Sequence, residues 1–241
     1  MYPDDCIQSA IADPSRWWVK QSDSQICKGS LIHAFVPYID ETPYTFEPVG
    51  RTDPRSHTTA EIKVAPLAVN QPLKQTQLPV AAMTLHHGEI WAAYKAKRRP
   101  CLVLGSVSVP AVDKSLMRGK PNRSTAPTML IAPYYGATDD GSRAGYTSAF
   151  VERVRHCEYP QFMWDSLPIP GGTAESIMRI DHLQPIGRHY KSYNLLGYKL
   201  SEEALTVIDE IITWYLWGGV PKNGTIASYR ELIEEVINPS G

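Results

Sequence analysis

Short apolar runs punctuated by prolines fill the chain to about residue 185, and a helical period replaces them only near its end. Leu31 to Tyr38 and Thr58 to Leu67 read as strands separated by a Pro- and Asp-rich stretch from Asp40 to Arg55, and are expected to pair as an antiparallel ribbon. Gly88 to Tyr94 predicts a short strand, Lys95 to Arg99 a tight basic turn and Pro100 to Val107 a second apolar strand, together a hairpin. Thr128 to Tyr134 is apolar almost throughout, the pattern of a strand buried on both faces, and Ser176 to Ile186 alternates as a fourth strand does. From Ser201 the spacing of Leu205, Ile208, Ile211, Ile212 and Tyr215 is helical; Ser201-Glu202-Glu203 caps its start and Gly218-Gly219 ends it. Ile226 to Ile237 predicts a further amphipathic helix, with Tyr229, Ile233, Val236 and Ile237 along one side.

The fold class expected is β-rich α+β, because 18 of the 20 prolines fall within residues 1–185 and exclude long helices there. Residues 1–85 read as a β-rich N-terminal extension, with a short helix after Asp4, a turn at Asp13-Pro14 and Trp17-Trp18 anchoring the arm to the body. Residues 66–79 have the Pro- and Gln-rich composition of a linker or of an extended arm. Residues 86–217 form the main domain, with an insertion at 136–172 rich in glycine and aromatics, and 218–241 supply an accessory C-terminal helix.

Composition alters this picture in one respect. A 241-residue chain with 43% hydrophobic and 20% charged residues is an ordinary globular protein, and its net charge of −1 gives no broad attraction to nucleic acid. Residues 88–123 nevertheless carry eight Lys/Arg against two acids, a local basic surface if those side chains share a face. Met1-Tyr2-Pro3-Asp4-Asp5 has acids where a secretory signal carries bases, and the apolar tract from Ile208 to Val220 contains Asp209, Glu210 and Thr213. A cytoplasmic protein with no membrane partner is expected.

Cys6, Cys27, Cys101 and Cys157 lack CxxC or Cys/His spacing and read as reduced thiols, while His86-His87 point to opposite sides of an extended chain. No phosphate-binding glycine loop, nucleophile elbow, zinc signature or dinucleotide fingerprint occurs, and Gly171-Gly172 reads as a turn. No metal or cofactor is expected.

Four segments, in order, carry a resemblance. Gly88-Glu89-Ile90-Trp91 resembles the opening strand of the PemK/MazF family of ribonuclease toxins, and Arg98-Arg99-Pro100-Cys101-Leu102-Val103-Leu104 resembles its Arg-Arg-Pro strand. Ser176-Ile177-Met178-Arg179-Ile180-Asp181-His182-Leu183 resembles its late strand and Ser201 to Leu216 its closing helix. The resemblance spans residues of about 85–217 and implies a small SH3-like antiparallel barrel closed by the C-terminal helix. It also implies a homodimer, an antitoxin partner and metal-independent cleavage of single-stranded RNA. Arg179 and Asp181 match the Arg-x-Asp of the Kid-like subset, and Arg99 matches the arginine lining the substrate groove. Arg98 and Lys97 are further candidates for RNA contact, or simply keep a turn soluble, and Tyr134 stands where other members carry threonine. A tyrosine there stacks on a base, hydrogen-bonds a phosphate or fills the barrel mouth.

Residues i and i+2 of a strand share a face, so Arg179 and Asp181 are expected side by side, about 7 Å apart at Cα by the strand rise. Asp181 would take the proton of a ribose 2′-OH and Arg179 would stabilise the phosphate charge, chemistry that requires RNA. The plainer reading is an ordinary surface ion pair. Departures from the family are a short first loop, no histidine between Lys95 and Arg99, and an insertion whose Tyr146, Phe150, Tyr159, Phe162 and Trp164 cap the groove or block it. The competing function is a catalytically silent SH3-like module that binds protein through its aromatic surface. A gyrase poison ranks last, because the chain lacks the Trp-Gly ending of that class.

Overall fold

The computed structural model describes residues 2–70, 88–105, 115, 128–138, 145–170, 175–189 and 191–237. They form two compact units, one of residues 1–35 and 98–241 and one of residues 36–97. In chain order the strands are β1 (Trp18–Lys20), β2 (Ser30–Pro37), β3 (Tyr44–Gly50), β4 (Glu61–Pro66), β5 (Trp91–Ala93), β6 (Ala96–Gly105), β7 (Thr128–Gly136), β8 (Phe162–Asp165), β9 (Ser176–Arg179), β10 (Gln184–Gly187) and β11 (Tyr193–Leu200). The helices are α1 (Ser148–Arg155), α2 (Glu202–Trp217) and α3 (Thr225–Ile237). The architecture is β-rich α+β with antiparallel sheets, as the proline-punctuated pattern implies.

The main sheet runs β1-β11-β2-β6-β7-β9-β8, with β10 pairing β7 off that path. It is an open path, and among the described residues no pairing closes it into a barrel. The segment read as an N-terminal extension is divided between the units, since residues 1–35 belong with 98–241. The expected boundary near residue 85 and most of the 66–79 linker lie outside the described residues, as do Gly171-Gly172, His86-His87 and, apart from Ser115, residues 106–123 of the basic stretch 88–123.

Helix α2 forms as its sequence dictates. The Ser201 side chain accepts a hydrogen bond from Ala204 N at 3.2 Å, Glu202 and Glu203 occupy the positive first turn, and Gly218 closes the helix at φ 75°, where a Cβ would be strained. Its apolar stripe, Ala204, Val207, Ile208 and Ile211, packs on Leu31, Leu102, Ala132, Tyr134 and Met178 of one sheet face. Strand alternation sends Ile177 and Trp164 to the other face, where Val151 and Val154 of α1 cover them.

The N-terminal arm makes 3₁₀ turns at Ile7–Ala10 and Pro14–Arg16, and Trp17 is fully buried. All four cysteines are free thiols. No described helix is long and apolar enough to cross a membrane.

Two expected pairings and one expected loop are corrected. The strands at 30–37 and 61–66 do not form a ribbon: β2 lies between β11 and β6, whereas β4 pairs β3. That β3 falls in the Pro- and Asp-rich stretch expected to be loop; Pro48 is accommodated opposite Ile62, next to a register shift. The hairpin is also absent, because β5 pairs β3 and the basic residues 96–99 continue straight into β6. Pro100 disfavours the helical region for Arg99, which extends the chain where a turn was expected.

The smaller unit is the sheet β4-β3-β5. Its register places Tyr44, Phe46 and Pro48 beside Pro66, Val64, Ile62 and Trp91 on one face, with Thr45, Glu47 and Lys63 on the other. Lys95 bonds Glu41 at 2.9 Å and lies 4.9 Å from the Tyr38 ring centre within this unit.

Candidate functional site

Strand register assembles the site. Cys101 pairs Pro133, so Arg99 two residues earlier comes opposite Tyr135 two residues later, and the guanidinium carbon of Arg99 lies 4.0 Å from the Tyr135 ring centre. Tyr135 pairs Ile177 across β9, and Arg179, two residues beyond, projects from the same face as Ile177. Its guanidinium carbon lies 5.7 Å from Tyr135 and 5.0 Å from Phe162, its cross-strand partner. One aromatic ring therefore has an arginine from each neighbouring strand against it.

Strand β9 stops at Arg179, and Ile180–His182 forms a 3₁₀ turn. Arg179 and Asp181 are consequently not i and i+2 of one strand, as expected from the sequence. The turn instead folds the carboxylate back onto the guanidinium in a side-on pair, Nε to Oδ1 at 2.7 Å and Nη2 to Oδ2 at 2.6 Å. The side chains keep 21% and 27% of their surface exposed, so the pair is reachable from solvent. The hydrogen bond to Asp181 raises the Arg179 pKa further above its ordinary value, against the opposing effect of burial.

His182 completes the cluster. Its Nε2 lies 2.8 Å from Arg179 Nη2 and its Nδ1 lies 2.7 Å from the Tyr135 hydroxyl. A guanidinium only donates, so Nε2 must accept; the ring is then neutral with its proton on Nδ1, which donates to the Tyr135 oxygen. The hydroxyl's own hydrogen is left to point elsewhere. Burial pushes the Tyr135 pKa up, and Arg99 and Arg179 partly oppose that shift. Beyond Phe162 the insertion contributes an aromatic row, with Phe150 5.3 Å from Phe162, 5.1 Å from Tyr146 and 5.9 Å from Tyr159. These four rings are half-buried, and the Arg179 guanidinium lies over the face of one of them, Phe162.

Of the residues expected at the site, Arg99, Arg179 and Asp181 come together. Arg98 alternates to the opposite side of β6, where with burial it lowers the pKa of His33, and Lys97 is exposed in the smaller unit. Tyr134 is a correction: it is 2% exposed and faces the core, where its hydroxyl donates to Asp165 Oδ2 at 3.2 Å. Tyr135 occupies the site in its place, and His182 brings an imidazole from the 180–182 turn, while residues 95–99 carry none. Tyr135 adjoins Tyr134 in the sequence, and His182 adjoins Asp181. The signal for His182 was its position just past Arg-x-Asp, and a continuous apolar run gave none for choosing between the tyrosines.

Asp165 anchors a second polar cluster. Fully buried, it accepts from Tyr2 Oη at 2.8 Å, Trp18 Nε1 at 3.2 Å and Tyr134 Oη. Burial nevertheless dominates these bonds and pushes its carboxyl up to about 6. The cluster ties the N-terminal arm to β8, which Gln8 Nε2 reinforces by donating to Trp164 O at 2.7 Å. Among the described residues no group of three or more His, Cys, Asp or Glu is placed to hold a metal.

No family model, curated protein or solved structure matches the chain.

Proposed function

We propose that the protein is a metal-independent endoribonuclease of the toxin type, cutting single-stranded RNA at the cluster of Arg99, Tyr135, Arg179, Asp181 and His182. The observation that carries this reading is the convergence of two guanidinium groups on the Tyr135 ring beside a carboxylate and an imidazole, all on one sheet face. Two donor-only cations with a general base and a neutral histidine make a set suited to a phosphodiester.

A phosphate docking between Arg99 and Arg179 competes for the donors that now hold Asp181. As Arg179 turns to the phosphate, the carboxylate is released and accepts the 2′-OH proton; the 2′ oxygen attacks phosphorus and the 5′ oxygen departs. The reading takes β6, β7, β9 and α2 as the SH3-like part of a PemK/MazF-type toxin. With it come a homodimer, an antitoxin partner and a cytoplasmic setting.

The competing reading, a catalytically silent interaction module, is favoured by one observation: both Asp181 oxygens are engaged by Arg179. Incubation of purified protein with single-stranded RNA and DNA in EDTA separates the two. The nuclease reading requires RNA fragments ending in a 2′,3′-cyclic phosphate and intact DNA; uncut RNA leaves the silent module.

A further inference from the structure

We infer that His182 is a proton conduit linking Asp181 to Tyr135, and that the Tyr135 hydroxyl protonates the departing 5′ oxygen. This rests on the ribonuclease reading and adds to it an acid that Arg179, already committed to charge stabilisation, is ill suited to be.

The imidazole lies between the two groups it would connect. Its Nε2 is 4.0 Å from Asp181 Oδ2 and its Nδ1 is 2.7 Å from Tyr135 Oη. Because Nδ1 donates to the tyrosine oxygen, the phenolic hydrogen is directed away from His182. Tyr135 also lies against both guanidinium groups that would hold the phosphate, at 4.0 and 5.7 Å. The charged and titratable groups around this path are Arg99 from β6, Tyr135 from β7, Arg179 from β9, Tyr146 from the insertion, and Asp181 from the turn itself.

The proton account closes. Asp181 takes the proton of the 2′-OH, the 2′ oxygen bonds to phosphorus, and the bond from phosphorus to the 5′ oxygen breaks. Tyr135 gives its proton to that oxygen. With Arg179 turned to the phosphate, protonated Asp181 passes its proton to His182 Nε2, and His182 passes the Nδ1 proton to the Tyr135 oxygen. Asp181 is again a carboxylate and Tyr135 a phenol. His182 is neutral with its proton on Nε2, and ring rotation or exchange with water restores the starting tautomer. The net transfer is one proton from the 2′ oxygen to the 5′ oxygen.

The test compares an RNA with the same RNA carrying one sulfur in place of the bridging 5′ oxygen at the cleaved bond, because a thiolate departs without being protonated. Tyr135→Phe is expected to slow cleavage of the oxygen substrate by about 10²-fold or more, the scale of a lost general acid, and the sulfur substrate by only a few-fold. His182→Asn should show the same split, since an amide donates to the tyrosine oxygen but relays no proton. Asp181→Asn should slow both substrates alike. Equal losses on both substrates for Tyr135→Phe and His182→Asn would reduce the two residues to positioning groups and overturn the conduit, as would unchanged cleavage. A wild-type protein that cuts neither RNA removes the ribonuclease reading and the conduit together.

Discussion

Tyr134 and Tyr135 stand back to back on β7: the first donates to Asp165 in the core at 3.2 Å, and the second meets His182 on the opposite face at 2.7 Å. Neighbouring residues of one strand thus serve unrelated purposes. Tyr134→Phe should lower folding stability by about 1–3 kcal/mol, the cost of removing a hydrogen bond to a buried charged group, with cleavage per folded molecule unchanged. Urea denaturation together with active-fraction kinetics checks this; a loss of activity with normal stability would contradict the division between the faces.

The folded pKa of Asp165, about 6, lies above its ordinary 3.8, so the native state holds this proton more tightly than the unfolded chain. The stabilisation is complete below pH 4, declines as pH rises from 4 to 6 and is gone above. Wild type should therefore lose about 3 kcal/mol relative to Asp165→Asn across that window, at 1.36 kcal/mol per pK unit. Paired urea titrations at intervals from pH 4 to 8 measure it, and a difference that stays constant or rises with pH would refute the assignment.

Arg99 places its guanidinium carbon 4.0 Å from the centre of the Tyr135 ring, which Arg179 also approaches. Arg99→Ala should weaken RNA binding and reduce the slope of log affinity against log salt by about 1, the signature of one lost phosphate contact. Binding measured in EDTA at several salt concentrations tests this, and an unchanged slope places the phosphate elsewhere.

Asp181→Asn keeps the shape of the side chain but removes the proton acceptor and releases Arg179 from its bidentate partner. RNA cleavage should fall by about 10²-fold or more while RNA affinity holds or improves. Gel-resolved cleavage beside equilibrium binding distinguishes this from a structural role, which would depress both.

What could be read from the sequence was what depends on local chemistry. Ser201 and Gly218 delimit α2 as their side chains require, and Arg99, Arg179 and Asp181 do converge. Face assignment failed where the signal is weak: a strand buried on both sides has no polar alternation, so nothing singled out Tyr135 over Tyr134. The basic run 95–99 looked like a turn because charge and solvent exposure go together, yet β6 begins within it. In the Pro- and Asp-rich stretch the alternation of Tyr44, Phe46 and Pro48 with Thr45 and Glu47 did mark a strand, and the prolines outweighed it. Which strands become neighbours is non-local and was not recoverable from spacing.

The order β1-β11-β2 has a consequence for how the chain comes off the ribosome. Trp18 pairs Leu200 and Ile32 pairs Leu195, so the earliest strands of the main sheet are held apart until the strand that joins them has been made. Such distant pairing makes folding slow, because loop closure must precede any gain in contacts. The nascent chain cannot complete its sheet until β11 emerges, so a ribosome that stops before Tyr193 releases an N-terminal portion whose edges remain open, and with them a substrate for chaperones and proteases.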